Sequence, residues 1–352
     1  MSNKKPIIFG LLGTAVLGYL TDRFLRGSIY RGESEHLEGR KFKNSTGGKN
    51  YFPKVLVQLV RNFKDREIWP LSFEKPSLTV EPRNFEEGDD QLKVTFIGHA
   101  TVLLQWDGLN IITDPMFSDY AGPLNTFGAK RKTAPGINMK ALPPIDMVLL
   151  SHNHYDHCDL KALEYIGATQ KKAPLVITGL GNRALMKSVG LTNCVELDWG
   201  EYIRYNEWNI HFEESIHCSG RALSDQNRTL WGSFVIEHPS GKKIYFCGDS
   251  AYGQQFKRIF EKHGPMEFSI LPIGGYHPRQ IFGNIHMNPK EAVKAHADLH
   301  SRQSLGIHHG TFQLTLEGRF APIKALAVAL KEQDTAHPFF VLKNGESEVL
   351  NL

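Results

Sequence analysis

Cysteine pairs, internal repeats and long apolar runs are all scarce in this 352-residue chain, and each scarcity excludes something. The four cysteines, Cys158, Cys194, Cys218 and Cys247, are scattered and form no CxxC pair. That excludes a disulfide scaffold or a thiolate zinc ribbon and favours a reducing compartment. Nothing recurs with a period of about 20–50 residues, so the chain is no solenoid. After residue 67 it carries 28 Lys+Arg against 31 Asp+Glu, and lacks the basic face that tracking a nucleic-acid backbone needs. Disorder is excluded by a hydrophobic content of 41%.

The longest apolar stretch, Pro6 to Leu20, falls short of the roughly 20 residues of a spanning helix. Lys4 and Lys5 precede it, Asp22, Arg23 and Arg26 come after it, and no small-residue cleavage site is present. The expectation is an uncleaved anchor over residues 1–30 that associates the protein with a membrane. Residues 31–50 read as a polar linker. Residues 51–90 form an N-terminal extension in which Val55, Leu56, Leu59, Val60 and Phe63 recur at helical spacing. That helix packs on the domain or lies at a membrane surface with Trp69 at headgroup depth. The catalytic domain is expected over 91–352.

From residue 91 short apolar strands alternate with helical segments near 159–166, 181–189, 253–262, 289–299 and 322–333. The strands include QLKVTFIGH, TVLLQW, LNIITDP, PLVIT, WNIHF, KIYFCGD, FSILPI and SLGIHH. In DMVLL the continuous apolar run MVLL suits a strand buried on both faces. Pro239-Ser240-Gly241 predicts a hairpin between GSFVIE and KIYF. The order implies an α/β fold with two sheets flanked by helices.

Directly after DMVLL the chain reads SHNHYDHCDL, residues 151–160. His152 and His154, two apart on extended backbone, project the same way. Asp156 and His157 stand at the turn into a helix. Such crowding of imidazoles and carboxylates is costly without a cation to share. One loop cannot complete a coordination shell, so further ligands are expected from other strand ends. His217, Asp249 and His308 each end an apolar strand before a small residue or glycine.

HNHYDH resembles the HxHxDH signature of the metallo-β-lactamase superfamily. That resemblance implies a four-layer αβ/βα sandwich with a binuclear site. His152, His154 and His217 would hold one metal. Asp156, His157 and His308 would hold the other, with Asp249 bridging. VTFIGHATVLLQ, ITDPMFS, VELDW, DQNRTLWGSF, GDSAY, PIGGYHPR, MNPKEAV, GIHHGTF and FVLKNGES are similar, in order, to blocks of the N-acylphosphatidylethanolamine-hydrolysing phospholipases D. Cys158 and the Gly220-Arg221 pair depart from that pattern, as does His309 where an aromatic residue is expected.

The resemblance implies two zinc ions, with iron or manganese as alternatives. A hydroxide bridging them would attack a phosphodiester and release N-acylethanolamine and phosphatidic acid. Asp249 and His286 are the catalytic candidates; Tyr155, His286 and Arg221 are the substrate contacts, with Lys130, Arg131 and Arg279 as weaker phosphate candidates. The implied partners are a membrane phospholipid, a membrane surface and a second copy of the chain in a homodimer, with no nucleic acid. The rivals are a lactonase or soluble phosphodiesterase of the same fold, and a non-catalytic tethered binding protein.

Overall fold

The computed structural model describes residues 20–23, 25–46, 64, 66–70, 90–333 and 337–352. Two seven-stranded sheets form the centre. In the first, Cys194–Leu197, Leu175–Gly179, Met147–Leu150 and Leu109–Thr113 run parallel. Thr101–Trp106, Gln91–Gly98 and Ser347–Asn351 continue it antiparallel. In the second, Tyr202–Tyr205, Trp208–Glu213, Ser233–Glu237 and Lys243–Phe246 are antiparallel. Phe268–Pro272, Ser304–Ile307 and Phe339–Phe340 extend it in parallel. The predicted hairpin is present, with Glu237 opposite Lys243 and Gly241 at φ 85° in its turn.

Strand periodicity explains the layering. Met147 and Leu149 point into the core between the sheets, where they join Phe96, Leu104, Phe212, Phe234 and Phe246. Val148 and Leu150 point the other way, against Ala162, Leu163 and Ile166 of helix Leu160–Thr169. On the outer face of the second sheet, Phe256 and Ile259 of helix Gln255–His263 pack with Val293 of Pro289–Asp298 and Leu326 of Ala321–Gln333. Each such Val, Leu, Ile, Phe or Met side chain, fully buried, stabilises the fold by roughly 1.5–3 kcal/mol. The result is helix, sheet, sheet, helix, as expected for an αβ/βα sandwich.

Helix starts are written locally. Asp159 accepts from the N–H groups of Lys161 and Ala162. Asn288 and Glu291 form a capping box with Pro289 in the first turn.

The N-terminal expectation requires correction. Among the described residues no helix is long and apolar enough to cross a membrane, and the anchor read over 1–30 is not supported. Residues 1–19 lie outside the described residues, as do those of the apolar helix expected at 55–63. The described part of 27–44 packs on the domain. Ser28 Oγ accepts the Leu185 N–H, Tyr30 N–H bonds to the Arg228 carbonyl, and Phe42 is fully buried. Trp69 is buried too, its indole N–H donating to the Glu317 carbonyl at 2.8 Å, so it is a packing residue and not a headgroup anchor.

Candidate metal centre

The 151–157 loop leaves the carboxyl end of strand Met147–Leu150, and its histidines are oriented by the groups behind them. Ser151 Oγ sits 2.8 Å from His152 Nδ1, which turns Nε2 toward His154 Nδ1, also 2.8 Å away. His217 Nδ1 faces the Ile285 carbonyl at 2.9 Å and presents Nε2 to His154 Nδ1 at 3.2 Å. These three nitrogens form one donor group.

The second group is Asp156, His157 and His308. Asp156 Oδ2 lies 3.4 Å from both His157 Nε2 and His308 Nε2. Asp249 joins the two groups. Its Oδ2 is 3.1 Å from His157 Nε2, 3.3 Å from His308 Nε2 and 3.7 Å from His217 Nε2. Gly248 makes this placement feasible. It sits at φ 60°, and a Cβ there would fall 2.5 Å from Ser151 Cβ. His286 Nδ1 is 3.8 Å from the same Asp249 oxygen. The strand tips that carry His152, His217, Asp249 and His308 therefore meet at one rim.

Three residues at the rim carry no role in the sequence reading. His99, at φ 59° after strand Gln91–Gly98, places Nε2 2.9 Å from Asp156 Oδ2. Asp114, fully buried, holds His157 Nδ1 at 2.6 Å and accepts from the Ser151 N–H and hydroxyl. Both sit in blocks that resemble the phospholipases, GHAT and ITDP, and that likeness is the signal that could have found them. Asn44 brackets the backbone of His217 and lies in the polar 31–50 segment, where composition carries no signal.

Electrostatics divide the site. Burial pushes the His154 imidazole down to about 3 and His152 well below its ordinary value, so both are neutral donors. His308 is raised to about 9 and His157 is raised well above its ordinary value; burial opposes this, but Asp249 and Asp156 overcome it. The carboxylates thus call for positive charge at this half of the rim. Asp249 Oδ1, His157 Nε2, His286 Nδ1 and His308 Nε2 are buried without a hydrogen-bond partner. Neutral imidazoles, carboxylates and unpaired buried atoms aimed at common points fit divalent cations of the zinc type.

The substrate candidates are placed differently from one another. Tyr155 is half-buried, with its hydroxyl 3.5 Å from the Leu25 carbonyl. The Arg221 guanidinium stacks 3.9 Å over the Tyr155 ring and donates to the Asn153 and Cys158 carbonyls, so it staples the turn. Arg131 is buried and donates to the Ser118 and Met116 carbonyls. Arg279 bonds the His286 carbonyl and Glu291. Lys130 lies 5.9 Å over the Tyr120 ring. His309, the odd residue of GIHHGTF, stacks on Phe96 at 5.6 Å, taking the place of an aromatic side chain. A separate trio, His211, Glu213 and His263, is an ion-pair cluster in which Lys262 binds Glu213 at 2.7 Å.

Residues 109–309 match the sequence model of the beta-lactamase superfamily domain. The chain belongs to the metallo-β-lactamase superfamily. An uncharacterised protein of Mycobacterium tuberculosis is 36% identical over 294 residues, 81% of this chain and 78% of its own. The N-acyl-phosphatidylethanolamine-hydrolyzing phospholipase D 1 of Caenorhabditis elegans is 33% identical over 260 residues, 71% of this chain and 72% of its own. The solved isothiocyanate hydrolase from Delia radicum gut bacteria superposes with a TM-score of 0.58 at 22% identity, covering 73% of this chain and 98% of its own, a likeness of fold alone. As a metallo-β-lactamase superfamily member with this donor set, the protein is a metal-dependent hydrolase.

Proposed function

We propose that the protein is a binuclear phosphodiester hydrolase of phospholipase D type, acting on N-acylphosphatidylethanolamine. The observation that carries the binuclear reading is Asp249 Oδ2, within 3.7 Å of imidazole nitrogens from both donor groups. His152, His154 and His217 would hold one ion and Asp156, His157 and His308 the other, with Asp249 standing between the two donor groups. Zinc suits these donors, which also accept iron or manganese. When bound, such ions lower the pKa of water to about 7 and stabilise charge on phosphoryl oxygens.

The chain's own residues do the rest. Asp114 and Ser151 fix the tautomers and tilt of His157 and His152. His286 offers an unpaired nitrogen at the edge of the rim, where it contacts the phosphodiester. Tyr155 lines the approach, with Arg221 holding its ring. Hydrolysis joins a water oxygen to phosphorus and breaks the P–O bond on the headgroup side. The products are phosphatidic acid and an N-acylethanolamine, which leaves with a proton.

The lipid substrate is supported by the C. elegans relative and by the surface near the rim. Leu124 and Phe127 are exposed on the loop that runs to Arg131, and Ile68, Leu314 and Phe320 are exposed nearby in the fold. Arg131 bridges to Phe312, and Trp69 bonds Glu317, so these loops are fastened to the segment after His308. Apolar side chains on such loops suit acyl chains better than a soluble diester.

Product identification tests this. Metal-loaded protein incubated with vesicles of N-acylphosphatidylethanolamine, phosphatidylethanolamine and phosphatidylcholine should yield phosphatidic acid and N-acylethanolamine by mass spectrometry. Release of fatty acid or diacylglycerol would sink the bond assignment. Turnover of a soluble diester or lactone with every lipid intact would move the protein to the corresponding soluble class.

A further inference from the structure

A cavity of about 620 Å³ lies between residues 26–40 and the 224–228 segment. Arg26, Arg31, Arg40 and Arg228 line it, with Tyr30 and Leu37 on its walls, and among the described residues no Asp or Glu does. Elsewhere arginines find carboxylates: Arg183 pairs with Glu196, Arg258 with Glu214, Arg279 with Glu291 and Arg302 with Glu267. None of the four cavity guanidinia makes an ion pair or side-chain hydrogen bond among the described residues. The Nε of Arg228 is buried without a partner.

Several neighbouring carboxylates are engaged otherwise. Asp22, in whose field Arg26 lies, accepts from the N–H groups of Leu223 and Ser224. Asp198 is held by His36 at 2.8 Å and Glu196 by Arg183 at 3.7 Å. Like charges gathered in a concave wall focus a positive potential that only an anion relieves. Guanidinium forks match phosphate oxygens two at a time.

We propose that this cavity binds a phosphate-bearing anion, as a lipid headgroup or as free phosphate, separately from the metal centre. The residues on either side of Arg26 touch Tyr155 and Arg221, beside the ligand loop. The Leu25 carbonyl lies 3.5 Å from the Tyr155 hydroxyl, and a Cβ on Gly27 would meet Arg221 Cδ at 3.1 Å. An anion held here sits beside the approach to the rim. The inference does not depend on which ester the protein cleaves.

The test uses the full chain, two probes and about 0.15 M salt, where exposed long-range charge is largely screened. The probes are inorganic phosphate, by calorimetry, and phosphatidylcholine vesicles containing phosphatidic acid, by co-sedimentation against pure phosphatidylcholine. Arg31→Gln/Arg228→Gln should weaken binding of at least one probe by roughly tenfold, as expected for losing charge-assisted bonds. Hydrolysis of a soluble diester should be unchanged. Loss with vesicles alone assigns a lipid headgroup, loss with phosphate alone a soluble anion, and loss with both a site that accepts either. If the pair fails to fold, Arg26→Gln/Arg40→Gln, at two exposed positions, reads the same property. Arg258→Gln/Arg302→Gln removes equal charge elsewhere. Unchanged binding of both probes, or equal loss in this control, overturns the proposal.

Discussion

Asn44 grips the backbone of His217 from both sides, donating to its carbonyl at 2.8 Å and accepting its N–H at 3.0 Å. The same oxygen takes the Trp231 indole N–H at 3.2 Å. A residue far upstream of the superfamily match therefore sets where one metal-ligand candidate stands. His217 reaches the rim from irregular backbone beyond strand Trp208–Glu213, held between the Ile216–Ala251 bridge and the Asn44 bonds.

Asn44→Ala should lower metal retention and kcat/KM on a soluble diester by about tenfold, the lower end of the effect of removing an orienting partner. Elemental analysis after dialysis and steady-state kinetics check this. An unchanged metal content with a lowered Tm would show that Asn44 only tethers the segment.

The purified protein should carry close to two equivalents of zinc or a similar metal, and His154→Ala should lose both metal and activity. Asp114→Asn leaves every donor in place but removes the anion behind His157. We expect a loss of about 10–100-fold in metal affinity, read by chelator competition. Full activity in a metal-free preparation would refute the hydrolase mechanism.

Much of the fold is legible in the sequence because the core obeys simple periodicities. Met147–Leu150 buries both faces, and helices lie close to the five segments read after residue 91. Strands Tyr202–Tyr205 and Ser347–Asn351 are not legible. They lie at sheet edges, with many exposed residues, so they lack the apolar signature that burial writes. The seven expected ligands converge, whereas His99, Asp114 and Asn44 depend on tertiary contacts that spacing does not encode. The anchor is a misreading because an apolar run beside basic residues is a compositional pattern. In the described residues beyond that run, 27–44 are bonded onto the domain.

His296 provides a pH test away from the metal centre. Burial pushes its imidazole from 6.5 down to about 4, with Nδ1 2.7 Å from Ser304 Oγ. The native state holds it neutral, while the unfolded chain takes a proton below 6.5. Its stabilising contribution is complete above that pH and is lost as pH falls toward 4, by at most about 3 kcal/mol. His296→Gln should flatten the fall in urea midpoint across this window. An unchanged slope would show that other groups govern acid unfolding.

Burial also raises the thiols, Cys158 to about 11 and Cys194 and Cys218 to about 12. At pH 8 these are protonated and unreactive, because the thiolate is the nucleophile. Native protein should consume less than about one equivalent of a thiol reagent within minutes, and unfolded protein all four. Rapid native labelling of several thiols would contradict the packing described.

Strand Ser347–Asn351 completes the sheet that carries the HxHxDH loop, pairing along Gln91–Gly98. Until residues 347–351 have been synthesised, Gln91–Gly98 stays an open edge, with His99 at its tip. A nascent chain must reach residue 351 before that half of the rim is framed. Such long-range closure is slow and exposes an unpaired strand to aggregation. Production of this protein should therefore be unusually sensitive to truncation near residue 347, even though the superfamily match ends at residue 309.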